Sequence, residues 1–318
     1  MSNIKIVEVS PDKIIPIWES SPHASVFIRP DVLTRMADDV RWFIARKGDE
    51  VLSCWPVCHN DDGEMELPLF SYFVGPFWTD RGWSVPLHRS LHRRLTVYEE
   101  FMSQFELLFG GFVCSLPVGH TDVRPFDWWN YHRLEKNRVE IFPRYTARIH
   151  DLCGMKNPAL NYRAVRRQEI RKIEEEKSYK VIDQIDLDSI VDLYVATMAR
   201  QNEVVSDRLI KAIKALYELS ETDTGFIIAV SDSLTNHICY IGLLLRASGI
   251  SNLVLSLTDD RYRKSGVTAF GINEAIKKSI WLGDNIFDFN GANSPKRGDD
   301  KHSYGAEDIL YFDVRYRA

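Results

Sequence analysis

The chain has 318 residues, 45% hydrophobic and 12% aromatic, enough to bury a sizeable core and more naturally divided into two domains than one. A formal net charge of -5 and a pI near 6.0 exclude a protein whose whole surface is basic, so any site for a polyanion must be local. No apolar run reaches membrane-span length, the opening MSNIKIVEVS lacks a charged leader and apolar core, and five cysteines suit a reducing compartment, so the expectation is a cytoplasmic protein without a membrane span.

The front half is dominated by strand signals. IKIVEVS, VRWFIARKG, EVLSCWPVC, EMELPLFSYFVGPFW and FVCSLPV each join apolar or aromatic residues and stop at Gly, Pro or Asn-Asp turns. DVLTRMADDV and LTVYEEFMSQFELLF show helical spacing between them. Strands interleaved with two helices predict a mixed α+β domain over residues 1–155. Cys54 and Cys58 in CWPVCH fall on one strand face without a second ligand pair, which reads as core cysteines and no metal. His23 and Arg29 lie in a loop before a helix, Tyr72 lies in an aromatic Gly-Pro run, and FDWWNYHR offers Trp128 and Trp129. One of these two tryptophans is expected to pack and the other to meet a ligand.

Composition shifts at NPALNYRAVRRQEIRKIEEEKSYKVIDQID, a charged helix followed by a strand, which opens a second domain over 156–318. Two helices follow, DLDSIVDLYVATMARQN and SDRLIKAIKALYELS, then strands GFIIAVS, HICYIGLLLRAS and SNLVLSLTDD, and a helix from about Val267 to Trp281. Between the last strand and helix lies RYRKSGV. The unpaired amides of a helix start at Ser265, Gly266 and Val267, with Arg261, Arg263 and Lys264 beside them, can hold a pyrophosphate; an ordinary strand-to-helix turn with solvated basic residues has the same sequence.

The final stretch, FDFNGANSPKRGDDKHSYGAEDILYFDV, puts polar groups between two strand-like segments. Asn290, Asn293 and Ser294 can donate or accept hydrogen bonds, Lys296, Arg297 and Lys301 can meet phosphate, and His302 and Tyr304 can move protons. A solvated charged turn is the alternative. No Gly-x-Ser-x-Gly or catalytic cysteine setting is present, which disfavours a covalent acyl-enzyme.

The strand, basic turn and helix around RYRKSGV resemble the GNAT acyltransferase fold, whose usual Gln/Arg-x-x-Gly-x-Gly/Ala pattern is represented here by one glycine. Arg-x-x-Ile-Arg-Lys at Arg167 to Lys172, then WLGDNIFDFNGAN and KHSYGAE…YF, resemble the double-GNAT layout of Fem-type transferases and their relatives, without the heptad run of the Fem helical arm. The resemblance implies an α+β protein of two tandem GNAT-like domains, each a mixed central sheet flanked by helices. It implies an acyl-CoA-dependent N-acyltransferase with acyl-coenzyme A as co-substrate, bound by Leu257, Thr258, Arg261, Arg263, Lys264, Ser265, Gly266 and Val267, and a backbone N–H in the Leu255 to Thr258 strand facing the thioester oxygen. The implied acceptor is a nucleotide-linked amino sugar, with His302, Asn290 and Asn293 as catalytic residues and His23, Arg29, Tyr72, Trp128, Trp129, Lys296, Arg297, Lys301 and Tyr304 as substrate-binding residues. No nucleic acid is expected on this reading. The alternatives are a Fem-like aminoacyl transferase using aminoacyl-tRNA and a cell-wall precursor, and a non-catalytic double-GNAT ligand-binding protein.

Overall fold

The computed structural model describes residues 3–182, 184–293 and 298–318, with residues 87, 298 and 299 described by their backbone alone. It divides into two compact units, one of residues up to Tyr145 together with Leu310–Ala318 and one of Thr146–Ile309.

The first unit runs β1 (Ile4–Val9), α1 (Ile15–Glu19), α2 (Pro30–Met36), β2 (Asp39–Lys47), β3 (Glu50–His59), β4 (Phe77–Trp78), α3 (Asp80–Trp83), α4 (Leu87–Phe109), β5 (Gly111–Ser115), α5 (Arg124–Asp127) and β6 (Glu140–Ile149), the last crossing into the second unit. β1 to β4 form an antiparallel sheet in sequence order. Val97, Tyr98, Phe101, Met102 and Phe105, spaced along one side of α4, are fully buried against it. Trp55 of β3 lies at the centre, with the rings of Tyr98, Phe101, Phe105, Phe112 and Phe126 at 5.1–6.1 Å in edge-on arrangements. α4 stops where Gly110 adopts φ 69°, and its amide reaches Glu106 O.

The expected strand over 64–78 is reduced to the two residues of β4, apart from a single bridge between His59 and Met65. Pro68 and Pro76 remove ladder donors, and Phe70 and Phe73 take left-handed backbone angles of 58° and 56°, so the run cannot remain extended.

The second unit contains α6 (Ala164–Glu176), β7 (Tyr179–Ile182), α7 (Leu187–Ala199), α8 (Asp207–Ser220), β8 (Gly225–Asp232), β9 (Ile238–Ala247), β10 (Ile250–Thr258), α9 (Val267–Trp281), β11 (Ile286–Asp288), α10 (Gly298–His302) and β12 (Glu307–Arg317), which crosses into the first unit. Asp186 and Ser206 cap α7 and α8 by accepting the Ser189 and Leu209 amides. The two residues joining β9 to β10, Ser248 and Gly249, have φ of 52° and 75°, the tight hairpin geometry that fixes the register of both strands. The sheet order is β7-β8-β9-β10-β11, antiparallel until β10, where β11 joins in parallel. Arg148 and Ile149 of β6 pair with the far side of β11.

α9 lies on this sheet with Ala269, Ala275 and Ile276 fully buried. Its Gly271 is required by a close approach, since a Cβ there would come within 2.2–2.8 Å of the Tyr240 ring on β9. Gly271→Ala should therefore destabilise the protein by about 1–3 kcal/mol through overpacking, despite the better helix propensity of Ala. Chemical denaturation checks this; a stability equal to or above that of the parent would show that the Tyr240 ring yields without cost.

Candidate functional site

β10 and β11 run together for only three residue pairs, Ile250/Ile286, Ser251/Phe287 and Asn252/Asp288. β11 then ends while β10 continues to Thr258 along β9, with a register shift between Leu253 and Leu255 that bends the strand. Beyond Asn252 the β11-facing side of β10 has no strand partner among the described residues. Asp288 fixes the parting point. Its carboxylate, fully buried, accepts from Thr146 Oγ1, from Arg148 Nε at 2.7 Å and from the Asn290 amide at 2.8 Å.

The chain then turns through Asn290 and Gly291 at φ 49° and 44°. The Asn290 side chain spans the gap, donating from Nδ2 to Leu253 O at 3.2 Å, while its Oδ1 is buried without a partner among the described residues. Lys301 Nζ donates to the carbonyls of Phe289, Asn290 and Gly291. Lys301 thus binds this turn of backbone, a task the sequence reading did not give it. The segment expected to be a loop contains the short helix α10. His302 at its end places Nε2 3.1 Å from Asp308 Oδ1 and is about one-third exposed. Tyr304 is buried, its ring 5.6 Å from Phe289 and 5.4 Å from Tyr162, and burial pushes its phenol far above the usual range. Tyr304 Oη, Tyr162 Oη and Asn273 Oδ1 are further buried polar atoms of this unit without a partner among the described residues. Asn293 is exposed; Lys296 and Arg297 lie outside the described residues, as does Ser294.

The basic turn follows β10. Gly266 precedes α9 at φ 85°, and a Cβ there would come within 3.0 Å of Glu169 Cβ on α6. The Ser265 hydroxyl donates to Tyr262 O at 2.7 Å and accepts from the Val267 amide at 3.3 Å, while Thr258 and Thr268 share a 2.8 Å hydroxyl contact across the turn. Leu257 and Val267 are buried, and the amide of Val267 is already bound to the Ser265 hydroxyl. Arg261 is bound to Asp259 at 2.8 and 3.1 Å and touches His237 at 2.5 Å. The guanidinium of Arg261 holds the Asp259 carboxyl well below the ordinary range. Arg263 lies 3.7 Å from Asp260, which Arg200 also approaches at 3.3 Å, and Lys264 is exposed.

The remaining expected residues belong to the first unit. Arg29 pairs with Asp31 at 2.9 Å and lies over Trp18; Tyr72 packs against Phe27. Of the two tryptophans, Trp129 packs against the core with its ring 6.5 Å from Tyr316, and Trp128 is 45% exposed. His23 is buried beside Trp83 and His120. Cys54 and Cys58 are buried core thiols, and among the described residues no three His, Cys, Asp or Glu are grouped to hold a metal.

Sequence reasoning missed Asp288, Arg148, Asp308, Tyr162 and Asn273. A carboxylate inside the short apolar segment IFDFN was the available signal for Asp288, because such a group needs a buried partner. His120 was missed as well.

The sequence matches no protein-family model and no curated protein. Among solved structures, the fold is similar to that of FemX, with a TM-score of 0.63 at 11% identity over 97% of this chain and 96% of that one. It is also similar to L-PGS from Bacillus licheniformis, with a TM-score of 0.57 at 12% identity over 97% and 92% of the two chains. A tandem GNAT protein from the clavulanic acid biosynthesis pathway gives 0.52 at 10% identity over 98% of each chain. The protein is an α+β chain with a tandem GNAT, Fem-like fold. Among the described residues, no helix is long and apolar enough to cross a membrane.

The buried imidazoles have a consequence for stability. Burial, with Arg94 nearby, lowers His23 to about 4, and burial, with His23 and Arg94 nearby, lowers His120 to about 3. The surrounding charges are Arg94 and Asp122, and Tyr98 meets the His120 ring. With folded values depressed below the unfolded value near 6.5, the stability held by neutral imidazoles is complete above that pH and is lost as pH falls. Each imidazole should remove up to about 1.4 kcal/mol per pH unit between roughly pH 6.5 and 4. Urea unfolding across this range should show a shallower decline in His23→Gln; an unchanged slope would contradict neutral burial of His23.

Proposed function

We propose that the protein is an N-acyltransferase that moves an acyl group from acyl-coenzyme A to an amine by direct attack on the thioester. The parting of β10 from β11 beside the Gly266-led start of α9 carries this reading, since it leaves a strand edge without a strand partner among the described residues next to a helix start and positive charge. The amide of Gly266 and the first turn of α9 would hold the pyrophosphate, with Arg263 and Lys264 adding charge. Arg261, committed to Asp259, would keep the turn in shape. A backbone N–H within Leu255 to Thr258 would donate to the thioester oxygen as it gains charge.

In the reaction the amine nitrogen forms a bond to the carbonyl carbon, the carbon–sulfur bond breaks, and coenzyme A leaves as the thiol. His302, oriented by Asp308, would take the proton released by the amine. The Oδ1 of Asn290, without a partner among the described residues, would accept from the amine, its Nδ2 being held by Leu253 O, and Asn293 would orient the sugar. The acceptor we infer is a nucleotide-linked amino sugar, with Lys296 and Arg297 for its phosphates, and the setting is polysaccharide biosynthesis.

Calorimetric titration with acetyl-coenzyme A should show saturable binding that falls roughly ten-fold or more for each charge lost in Arg263→Ala and Lys264→Ala. No binding to the parent chain would overturn the donor. His302→Ala should lower turnover by about 10²–10⁴-fold while leaving coenzyme A affinity nearly intact. Parent-like turnover across neutral and alkaline pH would remove His302 from the mechanism.

A second reading, aminoacyl transfer from tRNA to a cell-wall precursor, is favoured by the fold's similarity to FemX at a TM-score of 0.63. Thiol release with a sugar nucleotide supports the first reading. Transfer from charged tRNA without thiol release supports the second, and neither activity would leave a ligand-binding protein.

A further inference from the structure

The first unit contains a second set of buried polar groups that the acyl-transfer reading does not use. Trp78 Nε1 donates to the Tyr98 hydroxyl at 2.8 Å, so the hydroxyl proton is directed to His120 Nδ1, 3.4 Å away. With Nδ1 accepting, neutral His120 carries its proton on Nε2, a tautomer assigned from this hydrogen-bond network. That Nε2–H is buried without a partner among the described residues, as is His23 Nδ1. The residues themselves are 1% and 9% exposed.

The two imidazoles lie 6.3 Å apart and share Trp83 as a neighbour, at 4.4 Å from His23 and 5.3 Å from His120. Over the Trp83 ring, 3.8 Å from its centroid, lies the Arg94 guanidinium. Its nearest carboxylate, Asp122, is 3.9 Å away and is held at 2.7 and 3.0 Å by Arg124, so two guanidiniums share one negative charge. α4 adds exposed His88, Arg89 and His92 near its N-terminus and carries no acidic residue in its first turn, where a helix favours negative charge. One assigned ring N–H and an excess of positive charge have no matching acceptor among the described residues, and His23 Nδ1 takes the same acceptor once its proton is on that nitrogen. Buried donors are costly to leave unmatched.

We propose that the first unit binds an oxyanion, the phosphate or carboxylate group of a small molecule, between the Arg94 guanidinium and the ring N–H groups of His120 and His23. The proposal is independent of the acyl-transfer reading, because every residue in it belongs to the first unit. An anion here would accept from His120 Nε2–H, draw the His23 proton to Nδ1, and balance the charge that Asp122 divides between two arginines. The planar guanidinium, fixed by stacking on Trp83, presents its N–H fork in one orientation, a geometry that a lysine cannot reproduce.

The test is titration of the full chain with inorganic phosphate, pyrophosphate and acetate, followed through the imidazole carbon-bound protons by NMR. Saturable shifts of the His23 and His120 resonances are expected, with the His23 midpoint moving to higher pH as the anion offsets Arg94. Arg94→Gln should weaken binding by about ten-fold or more, and Arg94→Lys should retain part of it. Saturation by phosphate or pyrophosphate alone assigns a phosphate group, and saturation by acetate alone assigns a carboxylate. Unchanged resonances with all three anions would overturn the proposal. So would equal affinity in folded Arg94→Gln or, should that variant not fold, in Arg94→Lys. Equal losses in Arg93→Gln and Arg94→Gln would also overturn it, since they would indicate only the general field of α4.

Discussion

The buried carboxylate of Asp288 sets the form of the second unit. It receives Thr146, Arg148 and the Asn290 amide, and these three contacts occur where β11 stops following β10. A fully buried charge is tolerated only when paired and hydrogen-bonded, and removing one partner of such a pair typically costs about 3–5 kcal/mol. The strand therefore cannot slide in register, because doing so would strip the carboxylate of its partners. Its fixed position leaves the edge of β10 beyond Asn252 without a strand partner among the described residues.

The same logic distributes charge at the other end of β10. Asp259 and Asp260 neutralise much of what a reading of RYRKSGV assigns to a ligand, since Arg261 is bound to the first and Arg263 and Arg200 approach the second. An exposed ion pair contributes little stability, so these contacts matter mainly for where the side chains point. Lys264 is left exposed, while the Ser265 and Val267 amides are already bound, to Tyr262 O and to the Ser265 hydroxyl. The turn's shape is set by its backbone, through the left-handed glycine that precedes α9.

Much of this was legible in the chain. Apolar and aromatic runs bounded by turn residues in VRWFIARKG and EVLSCWPVC located β2 and β3, the apolar spacing of LTVYEEFMSQFELLF located the buried side of α4, and Gly266 before Val267 located the start of α9. What escaped was non-local. Arg148 meets Asp288 across 140 residues, and no local pattern announces that pairing. The strand expected over 64–78 failed because left-handed angles at Phe70 and Phe73 override the β preference of phenylalanine. GDDKH was read as a loop because a five-residue helix is too short to display a helical period. His120 was passed over because a lone histidine in PVGHTD has no spacing to mark it; its significance arises from Tyr98 and Trp83.

The polar stretch after β11 differs from a merely solvated turn. A solvated turn leaves its carbonyls to water, whereas Lys301 directs one ammonium to three successive carbonyls, matching its three donors. Such a contact orders residues 289–291 at the expense of lysine side-chain entropy, a cost without return if the turn had no fixed geometry to keep. Asn290 is held at both ends, its amide by Asp288 and its Nδ2 by Leu253, so its Oδ1, without a partner among the described residues, is constrained rather than free to turn to water. A fixed, buried acceptor beside an open strand edge is a preorganised position for a donor. The sequence could supply the residue types for it, but only the left-handed turn and the lysine behind it give the acceptor a direction.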